Sequence, residues 1–137
     1  LVITADHGQI STPVNEVYNL ANHPDLTACF SIHPTGENRF PFIHIKPGLE
    51  SKIRDYVERT WPGEFNIRNS KDVVNNGLFG SGYIYPRTFD RLGDLVVIPN
   101  RDAYWYWSTK ENKLLGRHGG FSANEMSVPL IQIPFYE

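Results

Sequence analysis

Two short apolar runs constrain this chain most. Leu1-Val2-Ile3-Thr4 and Leu95-Val96-Val97-Ile98 show no alternation between apolar and polar positions. An uninterrupted run of this length, fenced by turn residues, reads as a strand covered on both faces, the usual state of strands in a parallel sheet. Gly93-Asp94 and Pro99-Asn100 fence the second run, and Asp6-His7-Gly8 follows the first. The expected class is therefore α/β. The Asp-His pair is expected just past the carboxyl end of a strand, the edge at which open α/β sheets bind ligands. A chain that opens inside a strand, with no initiator Met, is expected to be a piece of a longer protein.

Between the two runs the pattern changes. Thr27 to His33 and Arg39 to Lys46 are strand-like, and Pro34-Thr35-Gly36-Glu37-Asn38 between them reads as the turn of a hairpin. After Pro47-Gly48, the apolar residues Leu49, Ile53, Tyr56, Val57 and Trp61 recur at helical spacing, with Lys52, Arg54, Asp55, Glu58 and Arg59 off that stripe. Pro62-Gly63 stops the helix, and Glu64 to Asn69 can add a strand. Residues 27–89 are thus expected to form an α+β insert. Residues 1–26 and 90–137 are expected to supply part of the main α/β core and the loops that carry its chemistry. Ala103 to Trp107 reads as an aromatic strand, with Tyr104, Trp105, Tyr106 and Trp107 in packing roles, since consecutive strand residues cover both faces. Ser122-Ala123-Asn124-Glu125 has the form of a capping box and predicts a short helix start. Val128 to Phe135, with two prolines, reads as an edge strand.

Composition removes several function classes. A formal charge of −2 offers no electrostatic footprint for nucleic acid and no polybasic membrane anchor. No apolar run approaches the roughly 20 residues that a membrane span needs. Cys29 is the single cysteine, so no internal disulfide and no thiolate zinc cluster can form, and any metal must be held by His and carboxylate. The lack of cysteine pairs is consistent with a cytoplasmic protein.

Asp6 and His7 are adjacent and would face opposite sides of a regular strand, but past a strand end the backbone can turn both toward one ion, and Gly8 permits such a bend. A carboxylate and an imidazole suit Zn²⁺ or a similar ion. His118 stands in Gly116-Arg117-His118-Gly119-Gly120, where glycines let the backbone approach a ligand closely or aim one side chain into a crevice. Each motif alone is more often a plain strand end or surface turn. Arg117 is a candidate contact for a phosphate oxygen, although a surface ion pair is the commoner role. His23, His33 and His44 are expected at surface or rim positions, Cys29 as a small core residue, and Asp94 in a turn without chemistry.

Taken in order, Thr4-Ala5-Asp6-His7-Gly8, Arg91-Leu92-Gly93-Asp94-Leu95-Val96-Val97, Leu114-Leu115-Gly116-Arg117-His118-Gly119-Gly120, Glu125-Met126 and Val128-Pro129-Leu130 resemble the type I phosphodiesterase/nucleotide pyrophosphatase family of the alkaline phosphatase superfamily. The resemblance runs over nearly the whole chain. It implies part of an alkaline-phosphatase-like central sheet with a small α+β insert. It also implies two divalent metal ions, commonly zinc. Asp6 and His7 would hold the metal that activates the nucleophile, and His118 the other, which grips a phosphoryl oxygen. The reaction implied is hydrolysis of a small phosphodiester or nucleotide substrate through a Ser or Thr phospho-enzyme intermediate. The nucleophile and the remaining ligands of that family cannot be matched here, so no catalytic residue is assigned within this chain. The chain alone is expected to be inactive, to bind metal poorly, and to self-associate through exposed sheet edges. A non-catalytic binding module of the same fold, or a phosphomutase, sulfatase or phosphonate hydrolase relative, are the alternatives.

Overall fold

The computed structural model describes residues 1–135, so the last two positions of the expected 90–137 core segment lie outside it. In chain order the elements are β1 (Val2–Thr4), β2 (Ile10–Ser11), α1 (Pro24–Thr27), β3 (Thr35–Glu37), β4 (Phe40–Ile43), α2 (Glu50–Thr60), β5 (Phe65–Asn69), α3 (Ser70–Asn75), α4 (Thr88–Leu92), β6 (Leu95–Pro99), β7 (Gly116–Arg117), α5 (Ala123–Met126) and β8 (Leu130–Gln132). Two 3₁₀ turns, Glu16–Tyr18 and Leu20–Asn22, precede α1, each capped by an asparagine side chain from Asn15 or Asn19. The class is mixed α/β, but the main sheet has four strands, antiparallel, in the order β3-β4-β6-β5. Among the described residues, no helix is long and apolar enough to cross a membrane.

The helical stripe folds as its spacing predicts. Ile53 and Val57 on α2 are buried, together with Trp61 just past its end, and Leu49 and Tyr56 pack at the rim. They meet Ile43, Phe65, Leu95 and Val97 from one face of the sheet. Tyr104 and Trp105 complete this cluster and are fully buried. The segment they belong to is not a strand. It is extended chain whose backbone is satisfied piecemeal: Trp105 N donates to Asn38 O, Tyr106 N to Tyr18 O, and Leu20 N to Tyr106 O.

The run at Leu95 is a buried strand, yet it lies between β4 and β5 rather than in a parallel core. Leu95 and Val97 face the main cluster, while Val96 faces a second one with Phe40 and Val73. Both faces are covered, which produces the same continuous apolar run that a parallel strand would show. Strand pairing therefore does not divide the chain at residue 90, because β6 joins the strands of the expected insert.

Two further expectations change. β1 forms, but it pairs antiparallel with β8 in a two-stranded ribbon, and its residues are exposed rather than covered on both faces. The hairpin is displaced: Thr27 closes α1, Thr35–Glu37 is itself a strand, and the turn falls at Asn38 and Arg39. Pro24 at the first helical position favours α1. Asn38 is anchored to the aromatic segment, its side-chain amide donating to Trp105 O at 2.7 Å.

Candidate metal centre

The ends of the chain meet through strand register. β2 pairs antiparallel with β7, Ile10 opposite Arg117 and Ser11 opposite Gly116, and Thr12 N extends the pairing to Leu115 O. Continuing that register one step beyond Arg117 carries His118 toward the loop that precedes β2. There the two imidazoles stack, with ring centroids 3.5 Å apart and planes 13° from parallel.

The orientation of the His7 ring is defined. Its Nδ1 lies 2.7 Å from Gly8 O, and since a carbonyl can only accept, Nδ1 carries the proton in this contact. In the neutral ring this leaves the lone pair on Nε2, the arrangement in which histidines ligate metals. Asp6 Oδ2 stands 3.6 Å from Nε2, while Asp6 Oδ1 accepts from His7 N at 3.0 Å. Two donor atoms at that separation can share one ion, because ligand distances near 2.0–2.1 Å in a tetrahedral shell put neighbouring donors roughly 3.3 Å apart. The nitrogen and oxygen donors suit zinc or a similar cation. They fill only part of a shell: among the described residues, no three His, Cys, Asp or Glu side chains form a group that could hold a metal ion. Asp6 is largely exposed and His7 half-buried, so the donors face solvent.

Next to the glycine turn of His118 lies a buried pair that sequence reasoning missed as a pair. Arg39 and Glu125 form a bidentate ion pair, Nε to Oε1 at 2.7 Å and Nη2 to Oε2 at 2.8 Å, with both side chains about 1% exposed. Glu125 also accepts from Gly120 N at 2.9 Å and from Ser122 Oγ at 2.6 Å, and Arg39 Nη1 donates to Ala103 O. Burial pushes the Glu125 carboxyl upward, but Arg39, Ser122 and Gly120 outweigh it and hold the group down at about 2. The capping box is thus not formed as expected, since Glu125 turns inward and receives the N–H of Gly120 rather than that of Ser122. A lone Arg after a turn and a Glu in capping position carry no joint signal in sequence.

The glycines around His118 serve this packing. A Cβ on Gly120 would meet the Glu125 carboxylate at 2.7 and 2.8 Å, and one on Gly119, at φ 102°, would meet Glu37 Cβ at 2.8 Å. A Cβ on Gly8 would overlap the carbonyl of Asn124. Arg117 is not turned toward the imidazoles. Its guanidinium is buried, donates to Thr12 and Leu114 carbonyls, the Thr12 hydroxyl and Asn112, and lies 3.7 Å above the Tyr104 ring. Its Nη1 and Nη2 are engaged in these bonds, and its Nε is left without a partner. His23 is buried rather than at a rim, with Nδ1 to Tyr56 Oη and Nε2 to Val17 O, both at 2.9 Å. His33 is exposed and His44 half-buried, and Cys29 is buried in the core. Asp94 holds its turn, accepting from Ile45 N.

No family model and no curated protein matches the chain. Solved structures do. The chain is similar to murine ectonucleotide pyrophosphatase/phosphodiesterase 5, with a TM-score of 0.60 and 17% identity, over 94% of this chain and 32% of that one. The same values hold for an inactive threonine-to-alanine variant of the murine protein in complex with AMP. The human protein gives a TM-score of 0.61 and 16% identity, over 95% of this chain and 32% of its own. At this identity the likeness establishes the fold: that of part of an ectonucleotide pyrophosphatase/phosphodiesterase. The chain spans about a third of the length of these structures.

Proposed function

We propose that this chain is part of a metal-dependent phosphodiesterase or nucleotide pyrophosphatase, and that Asp6, His7 and His118 are metal ligands in the intact protein. The observation that carries the reading is the stacking of His7 on His118, from opposite ends of the chain, within a fold similar to such enzymes. Asp6 and His7 Nε2 would hold one divalent ion, zinc by the chemistry of these donors, and His118 would hold a second. When bound, such ions neutralise charge on the transferring phosphoryl group and lower the pKa of the attacking hydroxyl. The chain's own contribution is positional. Gly8 O fixes the tautomer and direction of the His7 ring, and the β2–β7 register brings His118 alongside. The attacking Ser or Thr belongs to residues outside this chain, so this part alone should not turn over substrate. Substrates would be small phosphodiesters or nucleotides.

The test uses the intact protein. His118→Ala should remove one equivalent of bound metal and lower hydrolysis of bis-p-nitrophenyl phosphate by orders of magnitude without unfolding the protein. A variant with the parent's rate and metal content would end the assignment. The second reading, a binding module of the same fold, is favoured by the incomplete donor set among the described residues. It predicts no hydrolysis by the intact parent protein at any zinc concentration.

A further inference from the structure

We infer that Glu125, held in place by Arg39, is the positioning residue of the imidazole pair: one residue that clamps both ligand loops through their backbones. This rests on the site proposed above but concerns a different part of it.

The geometry is a two-armed clamp. One arm is the side chain: Glu125 Oε1 accepts from Gly120 N, two residues past His118. The other is the main chain: Glu125 O accepts from Gly8 N at 2.8 Å, one residue past His7. Gly8 is held at both ends of its residue, because its own carbonyl receives the Nδ1–H of His7. A line of bonded groups therefore runs from Glu125 through Gly8 to the His7 ring, and a second runs from the same residue to the turn that carries His118. Glycine at positions 8, 119 and 120 lets both loops close onto this clamp, since a side chain at any of them would collide with its neighbours.

The remainder of the core argues that this is more than packing. The main cluster is apolar and aromatic, and a buried ion pair contributes little stability that well-packed apolar residues could not replace. What apolar residues cannot supply is a directed acceptor for Gly120 N. Arg39 fixes the carboxylate plane with two parallel bonds, and Ser122 occupies a further acceptor site. The carboxylate is thereby fixed in one orientation toward the His118 turn.

The experiment compares two uncharged replacements in this chain, Arg39→Met/Glu125→Gln and Arg39→Met/Glu125→Leu. Both remove the buried charges, and only the first keeps an acceptor for Gly120 N. The readout is the ring-current shift that His7 and His118 impose on each other's C–H resonances, calibrated by His7→Ala, beside a competitive zinc titration and thermal melting. The glutamine variant should keep at least half of the mutual shift. The leucine variant should lose most of it, with zinc affinity reduced tenfold or more relative to the glutamine variant, at similar melting temperatures. Equal ring shifts in the two folded variants would overturn the inference. Should the leucine variant fail to fold, Ser122→Ala gives the weaker form of the test: it frees one carboxylate acceptor, and an unchanged ring shift there would also count against positioning. Loss of the ring shift in a chain that never binds zinc would leave the clamp standing and remove the metal reading instead.

Discussion

The two halves of this molecule are held together by different forces. Around the four-stranded sheet, α2 and the aromatic segment close an apolar cluster in which Ile43, Ile53, Leu95, Val97 and Trp105 are fully out of water. Around the imidazoles, two-stranded ribbons and glycine turns are tied by a buried ion pair and a few directed hydrogen bonds, while Val2, Leu115 and Leu130 remain exposed. Apolar burial is undirected and tolerates small shifts; a carboxylate with four donors does not. The chain thus separates bulk stability, concentrated in the sheet, from geometric control, concentrated where ligand-type residues meet.

The strongest way to break that contrast is to damage the sheet alone. Ile53→Ala removes a fully buried side chain from α2, and such truncations cost about 2–5 kcal/mol depending on how far the cavity relaxes. Urea unfolding should show a loss of that size, while the His7 and His118 resonances of the still-folded protein stay where they are. If the imidazole pair were disturbed as much as the core, the two regions would be one cooperative packing unit and the distinction would fall.

The same contrast explains what could be read from sequence. Where a single period decides the outcome, sequence and structure agree: Leu49, Ile53, Tyr56, Val57 and Trp61 mark one helix face, and Pro62-Gly63 follows its end. Strand existence at Leu95 was equally plain, but its partners were not, because a strand covered on both faces shows the same apolar run whichever way its neighbours point. The hairpin lies further along than its composition suggests, because Thr35-Gly36-Glu37 has turn-like residues yet pairs with β4, while Asn38 in the actual turn is anchored to Trp105 O. At the site, Asp6, His7 and His118 could be singled out by residue type and by the order of motifs. Their juxtaposition depends on the β2–β7 register, which involves two residues on each side and leaves no periodic trace. The Arg39–Glu125 pair was illegible for a related reason: it joins elements remote in sequence, and each partner has an ordinary local explanation.

Acid provides a reversible probe of the clamp. The Glu125 carboxyl is held at about 2 against an ordinary value of 4.5. A carboxyl lowered in the folded state adds stability that is fully present above its unfolded value and disappears as pH falls through the folded one. The contribution should therefore be complete above about pH 4.5 and be lost between there and pH 2, to a total of about 3 kcal/mol. Arg39→Met/Glu125→Gln should flatten the stability profile across that window. A parent protein whose unfolding free energy does not change between pH 5 and pH 2.5 would show that this pair is not a charged element of the fold.

The smallest effect is expected on the exposed ribbon. Ile3 and Ile131 sit directly opposite each other, at 46% and 48% exposure, in a pair of strands with free edges on both sides. Unpaired edges bearing apolar residues template further pairing, so this chain in isolation should self-associate as concentration rises. Ile3→Thr/Ile131→Thr trims apolar surface that folding only half buries, keeps a β-branched residue at each position, and should cost at most about 1 kcal/mol. Light scattering should nevertheless show less association than in the parent. The edges of the four-stranded sheet differ in kind: β3 is only three residues long, Thr35-Gly36-Glu37, and β5 exposes the polar side chains of Asn66 and Arg68. A parent chain that stays monomeric at high concentration would mean that the ribbon, despite its exposed isoleucines, does not differ from the sheet in this respect.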